Sequence, residues 1–164
     1  MPATLKNLRI RWLVPERDMA EIARIEGEAY QRPCTEQELE GELLHTQRQG
    51  VVAYLTTTSK IVGFAILEMG AEKVHVRNVA VARKYWRRGV GSFLLGQIAS
   101  GLRGSFAPRW YCTSYVDEYN VAVQKFFHAC GWLAYGVGED IDGAPLIAFR
   151  WPEYDNAEVQ GEAG

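Results

Sequence analysis

"NVAVARKYWRRGVGSFLLGQI", residues 78–98, sets an alternating apolar run ahead of two arginines, a Gly-Val-Gly turn and an apolar series at helical spacing. Val90, Phe93, Leu94, Ile98 and Leu102 fall at i, i+3, i+4, i+8 and i+12, which is the inward stripe of a helix beginning at the turn. Gly89 and Gly91 let the backbone approach a ligand closely. The N–H groups of a first helical turn, with the positive end of the helix dipole, form an anion site. Arg87 and Arg88 add charge where a phosphate would sit. A plain strand-to-helix turn has the same glycines, so the turn alone leaves both readings open. A dinucleotide fingerprint needs a third glycine at position 94, which is leucine, and no Gly-Lys-Ser/Thr of a Walker loop is present.

The chain on either side supplies a mixed set of elements. "LRIRWL" (8–13) alternates as a first strand, and "ERDMAEIARIEGEAY" (16–30) carries Met19, Ile22, Ile25 and Ala29 at helical spacing. Thr35 followed three residues later by Glu38 is a capping-box pattern that opens a second helix. "VVAYLTTTSKIVGFAILEM" (51–69) reads as a hairpin turning near Thr58–Lys60, and a longer strand runs from Lys73 to Val81. "RWYCTSY" (109–115) is a fifth strand, Val123, Phe126, Phe127 and Cys130 mark one face of a helix, and residues 132–151 give two strands around an Asp-Gly turn. The order β, α, α, three strands, α, β, α, β, β predicts an α+β or α/β sandwich, with helices on both faces of a mixed sheet.

A length of 164 residues fits one core, so residues 1–152 are read as a single domain and 153–164 as a short acidic, flexible tail. With 48% hydrophobic and 23% charged residues, the composition is that of a globular protein. A net charge of -2 gives no general reason to expect nucleic acid, although Arg83, Lys84, Arg87 and Arg88 form one basic cluster, which a solvated face would also explain. No apolar run approaches the ~20 residues that cross a bilayer, and the opening "MPATLKNLRIRWLVPERD" is polar where a signal peptide is apolar. The expectation is a cytoplasmic protein without a membrane partner. Cys34, Cys112 and Cys130, widely spaced and without a C-x-x-C, read as free thiols rather than a disulfide framework or a metal site.

Two blocks together resemble the GNAT superfamily of acetyltransferases. "NVAVARKYWRRGVGSFLL" (78–95) is similar to the family's motif of fourth strand and following turn, and "NVAVQKFFHACGW" (120–132) to its later signature of Asn, an aromatic, then Gly and an aromatic. "ARIEGEAYQRPCTEQEL" (23–39) resembles the start of the RimI-like branch, which acetylates protein N-termini. The resemblance covers most of residues 8–151. It implies a GNAT-like α/β (α+β) fold with a mixed, mostly antiparallel sheet of about six to seven strands. It also implies acetyl-CoA as co-substrate, with the backbones of Val79, Ala80 and Val81 along the pantetheine arm. Arg87, Arg88, Gly89, Val90, Gly91 and Ser92 would surround the pyrophosphate, and Asn120 would lie near the thiol end. Trp86 departs from the usual Gln or Arg, but a cradle built mostly of backbone N–H groups survives that change.

In RimI-like proteins the usual base, a glutamate, stands five residues before the motif asparagine, and the usual acid, a tyrosine, seven after it; here those positions hold Tyr115 and Phe127. Other members carry a base four residues before the first cofactor-contacting position, which is His75. Strict alternation would put His75 on one face with Arg77, Val79 and Val81, and an ordinary imidazole pKa of ~6.5 would suit a base near neutrality. The alternative is a strand histidine bonded to its neighbours. Tyr115 is a second catalytic candidate, as acid for the thiolate or through water, against a core tyrosine with a satisfied hydroxyl. Asp117, Glu118 and Glu72 are further acidic candidates that also read as solvated loop charges. Glu28 and Tyr30, where the family's substrate groove is walled, are candidates for orienting the amine, although Tyr30 also reads as packing.

An α-amine of pKa ~8 is about 10% neutral at pH 7 and a lysine of ~10.4 only ~0.04%, a difference of roughly 3 kcal/mol in deprotonation. A site without a glutamate base therefore points to a protein or peptide N-terminus. A small-molecule amine, or an acyl-CoA-binding domain without catalysis, is the alternative. The sequence leaves a homodimer open.

Overall fold

The computed structural model describes residues 6–105 and 111–151, without the side chains of residues 100–105. The tail expected at 153–164, Arg109 and Trp110 of the fifth strand and the Leu102 side chain therefore lie outside the described residues. Seven strands, β1 (Leu8–Trp12), β2 (Arg48–Leu55), β3 (Ile61–Met69), β4 (Lys73–Val81), β5 (Tyr111–Asp117), β6 (Leu133–Glu139) and β7 (Pro145–Trp151), form one sheet in the order β1-β2-β3-β4-β5-β7-β6. Every neighbouring pair is antiparallel except β4–β5, which the crossover helix makes parallel. The helices are α1 (Pro15–Ala29), α2 (Glu36–Leu43), α3 (Val90–Ser105) and α4 (Val121–Ala129), with a short 3-10 turn at Arg83–Tyr85. The mixed, mostly antiparallel sheet with helices on both faces is the architecture expected from the sequence.

Three of these helices are positioned by a local device. Pro15 opens α1, where its missing N–H costs nothing. Thr35 and Glu38 complete a reciprocal capping box on α2, with Glu38 N–H donating to Thr35 Oγ1 at 3.1 Å and Thr35 N–H to Glu38 Oε2 at 2.9 Å. Asn120 caps α4 by accepting from Val123 N–H at 3.2 Å.

Cross-strand register separates the two faces. Phe64, Ile66 and Glu68 of β3 lie opposite Ala80, Asn78 and His75 of β4, whereas Gly63, Ala65 and Leu67 lie opposite Val81, Val79 and Val76. The Asn78 amide reaches Cys34 Sγ, beyond the end of α1, and Arg77 pairs with Glu42 of α2, so α1 and α2 cover the face of His75 and Asn78. A Cβ at Gly63 would stand 3.3 Å from Val90 Cγ1, which puts α3 on the opposite face. Ile22, Ile25 and Leu39 are fully buried on the first side, and Leu94, Leu95, Phe127 and Phe149 on the second. At about 1.5–3 kcal/mol for each fully buried side chain of this size, these residues hold both helical layers on the sheet.

The joint between β1 and α1 depends on Asp18, which is 2% exposed. Its carboxylate accepts two bonds from Arg11 (2.6 and 3.0 Å) and one from Val14 N–H (2.8 Å), with Arg17 Nε at 3.3 Å. Burial alone would raise its pKa, but the bonds from Arg11, Val14 and Arg17 together win and hold it below 3.8. Its stabilisation is therefore complete above pH 3.8 and is lost as the pH falls through the folded-state value. Asp18→Asn should lower stability at pH 7 by about 2 kcal/mol. Urea midpoints of variant and wild type should converge as the pH is taken below 3.8; a gap that persists there would contradict this account.

Candidate active site

The site begins where the sheet opens. Parallel pairing between β4 and β5 runs from Lys73–Tyr111 to Val76–Ser114 and stops, although β4 continues to Val81 and β5 to Asp117. Ser114 Oγ donates to the Val76 carbonyl at 2.8 Å and closes the last rung. At the same level the β3–β4 register slips, because Leu67 faces Val76 while Ile66 faces Asn78, which leaves Arg77 as a bulge. Arg77 is held by Glu42 (2.8 Å) and Glu68 (3.0 Å), and Arg48 binds the same Glu42 oxygen at 2.7 Å.

Past the bulge, Ala82 N–H donates to Val62 and Gly63 lies against the Ala80 carbonyl, so Ala80 and Ala82 turn their polar groups toward β3. Val79 and Val81 turn theirs into the gap. Of the expected trio, therefore, Val79 and Val81 face the gap with their backbones, and that of Ala80 is paired with β3. Two carbonyls of this edge already have partners, Val79 accepting from the Tyr30 hydroxyl at 2.5 Å and Val81 from the Trp86 indole at 2.6 Å. Trp86 packs in this way under the Arg83 guanidinium, 5.4 Å from its ring centroid.

The glycine turn has two distinct parts. Arg87 (φ 59°) and Gly89 (φ 81°) both adopt the left-handed conformation, which is uncommon for arginine and curls successive N–H groups into an anion-binding concavity. The first bond of α3 runs from Phe93 N–H to the Gly89 carbonyl, so the N–H groups of Val90, Gly91 and Ser92 lie ahead of the helical ladder. Gly91 also has a packing role. A Cβ there would stand 2.8 Å from the outer ring carbons of Phe126, so the residue admits α4 beside α3. Arg88 lies over the Tyr85 ring at 5.6 Å, and Ser92 Oγ stands 3.5 Å from Cys130 Sγ of the α4 cap. The turn, the leading N–H groups and the unpaired strand edge follow one another along the chain from β4 into α3, and the chemistry of a phosphate-bearing thioester fits this set.

On the α1–α2 face, His75 and Tyr115 come together with ring centroids 4.7 Å apart, and His75 Nδ1 lies 2.8 Å from Thr113 Oγ1. His75 does not share a face with Val79 and Val81, because the bulge at Arg77 inverts the alternation; it shares one with Asn78 and Ala80. Burial, then the Arg77 and Lys73 cations, lower its pKa to about 4, against a smaller opposing effect of Glu68. The near-neutral value expected for a base is thus corrected.

Phe127, in place of the usual acid, is 1% exposed and packed at 4.9 Å on Trp132 and 5.4 Å on Phe149, a core residue. Glu28 accepts from Arg83 N–H at 2.8 Å and pairs with Arg24, which ties α1 to the turn after β4. Asp117 binds Tyr119 N–H at 2.8 Å, and Glu118 and Glu72 are exposed loop charges.

Sequence reasoning missed Glu26, which is 3% exposed and has Oε2 without a hydrogen bond. Its Oε1 accepts from Cys34 N–H at 3.4 Å and joins α1 to the loop before α2; burial raises its pKa. The signal was present, since Glu26 follows Met19 and Ile22 on the inward stripe of α1. Among the described residues there is no cluster of three or more His, Cys, Asp or Glu able to hold a metal, and no helix is long and apolar enough to cross a membrane.

A sequence profile of the Acetyltransferase (GNAT) family matches residues 16–132. The chain belongs to this family of acetyltransferases. No curated protein sequence matches it. The fold is similar to that of the ribosomal-protein-S18-alanine N-acetyltransferase from Escherichia coli, at TM-score 0.74 and 21% identity over 88% of this chain and 93% of that one. It is also similar to Ard1 from Thermoplasma volcanium (TM-score 0.74, 17% identity, 91% and 99% covered). A third likeness is to a GNAT family acetyltransferase from Elizabethkingia anophelis with acetyl-CoA bound (TM-score 0.71, 15% identity, 89% and 98% covered).

A pKa of about 4 for His75 has a readable consequence. The unfolded chain binds a proton near 6.5 that the native imidazole refuses, so this group stabilises the fold above pH 6.5, and the contribution is lost as the pH falls from 6.5 toward 4. In an NMR titration the His75 ring should stay neutral down to about pH 4. His75→Gln should flatten stability against pH across that window; a ring titrating near 6.5 would overturn the assignment.

Proposed function

We propose that the protein transfers the acetyl group of acetyl-CoA to the α-amine at a protein or peptide N-terminus, as a RimI-like cytoplasmic N-acetyltransferase. Acetyl-CoA supplies the activated acyl thioester. The concavity at Arg87–Gly89 and the N–H groups of Val90, Gly91 and Ser92 hold its pyrophosphate, Val79 and Val81 line its arm, and Asn120, which caps α4 just after β5, lies near its thiol end.

The observation that carries the choice of acceptor is the environment of His75. Moving a proton from an amine of pKa ~8 to an imidazole at about 4 is uphill by ~5 kcal/mol, so this ring does not take the proton of an ammonium group. The amine must arrive neutral, which an N-terminus does far more often than a lysine. As the C–N bond forms and the C–S bond breaks, the Tyr115 hydroxyl gives its proton to sulfur and recovers the one that nitrogen sheds. Tyr30, held on the Val79 carbonyl, walls the other side of the amine. A second reading, a domain that binds acyl-CoA without turnover, draws on the same environment of His75 and on the packed Phe127.

Thiol release from acetyl-CoA should be measured against N-terminal peptides, N-blocked lysine peptides and small amines. An N-terminal peptide should be preferred, with kcat/KM rising with pH about a midpoint of ~8, the pKa of the acceptor itself, to a plateau above it. Tyr115→Phe should slow turnover by roughly 100-fold at unchanged acetyl-CoA affinity. Preference for lysine would redirect the acceptor assignment, and binding without turnover of any amine would establish the second reading.

A further inference from the structure

Beyond the last β4–β5 rung, the α1–α2 face of the sheet continues outward over β5, β7 and β6 as a surface of aromatic side chains. Register puts Thr113, Tyr115 and Asp117 of β5 on one face with Arg150, Ala148 and Leu146 of β7, and with Leu133, Gly136 and Gly138 of β6. A second register slip, between Ala134 and Gly136, makes Tyr135 a bulge. In a bulge the extra residue and the one after it face the same partner, so Tyr135 turns with Gly136 to the face of Ala148 and Tyr115; burial first, then the charges of Tyr115 and Tyr111, raise its pKa. Arg150 in turn lies 4.3 Å from the centroid of the Tyr111 ring.

This surface is open. Tyr115 is 54% and Tyr135 52% exposed, and a methyl placed at Gly136 or Gly138 would meet nothing within 4 Å. It starts at the gap, since Tyr115 is the first β5 residue beyond the Val76–Ser114 rung. On the other side of the gap, Tyr30 closes the approach by its bond to Val79. An amine delivered to the gap from this face therefore has its own substituent directed over Tyr115 toward Tyr135. Half-exposed phenol rings beside an open glycine floor offer flat apolar contact with hydroxyls at the rim, which suits a ring of the acceptor more than a methyl or a hydrogen.

We propose that Tyr115 and Tyr135, backed by Tyr111, form the subsite for the first side chain of the acceptor and make the protein selective for an N-terminus that begins with an aromatic residue. The inference rests on the reading of the acceptor as a peptide α-amine. It adds which termini are taken.

The test compares two peptides that differ only in their first residue, phenylalanine or alanine, with wild type, Tyr135→Ala and Tyr135→Phe, none of which alters the gap. Wild type should favour the phenylalanine peptide by roughly tenfold or more in kcat/KM, chiefly through KM. Tyr135→Ala should remove most of that preference and leave the alanine peptide within about twofold, and Tyr135→Phe should retain it. Equal rates for both peptides in wild type, or equal losses for both in Tyr135→Ala, would overturn the subsite while leaving the α-amine reading intact. Turnover of a phenylethylamine-type amine but of neither peptide would overturn the α-amine reading instead, and loss of that turnover in Tyr135→Ala would keep the aromatic subsite. A change of oligomeric state in Tyr135→Ala, read by sedimentation, without any change in peptide preference, would make this face a self-interface and refute the proposal.

Discussion

The parting of β4 from β5 after the Val76–Ser114 rung is the constraint on which the rest of the molecule depends. Two parallel strands that stay in register leave no main-chain group for a ligand. Here the Ser114 hydroxyl takes the Val76 carbonyl, and in the next position Arg77 bulges out of the β3 ladder and is fixed by Glu42 and Glu68. A bulge increases local twist, and twist at that level turns the last third of β4 away from β5. The Arg48–Glu42–Arg77–Glu68 group is thus more than surface charge. It links α2, β2, β3 and β4 at the one point where the sheet must change direction. Exposed ion pairs contribute little singly, but a shared set of partly buried ones resists the slip that would close the gap.

Much of this was legible in the sequence, and one decisive part was legible but misread. The element order, the capping box at Thr35 and Glu38, and the helix starting at Val90 all follow from spacing alone and are present as expected. The bulge left its mark too. In "VHVRNVAV" the valines at 74 and 76 fall on even positions and those at 79 and 81 on odd ones, with Arg77 and Asn78 between, and all four valines share one face. Strict alternation drawn through Arg77 places His75 with Val79 and Val81; the slip of one residue puts it on the opposite face.

Other features had no local signal. That Glu28 would be captured by the backbone of Arg83 depends on where the chain returns fifty-five residues later. Nothing in the neighbourhood of Gly91 announces Phe126, which arrives from α4 and needs a glycine there. Asp18 resembles any acidic residue in a first helical turn, and only the fold brings Arg11 and the Val14 N–H onto it. In each case the sequence states the residue's chemistry, while its partner is chosen by tertiary packing.

The two faces of the sheet explain why the function proposed puts acyl transfer at the gap rather than in a surface cleft. A hydrogen-bonded sheet separates what lies on its two sides by a continuous backbone, with strands ~4.8 Å apart. The anion-binding turn belongs with α3 and α4 on one side, and His75, Tyr115 and Tyr135 belong to the other. A donor held at the start of α3 and an acceptor resting on the aromatic face can meet only where that backbone opens. The burial that lowers His75 is a consequence of the same arrangement, because the ring sits against the last closed rungs, between Thr113 and Tyr115. The geometry that joins the two faces thereby leaves His75 a poor proton acceptor; in the function proposed, the acceptor's own basicity, together with its fit to the tyrosines, would govern which amine reacts.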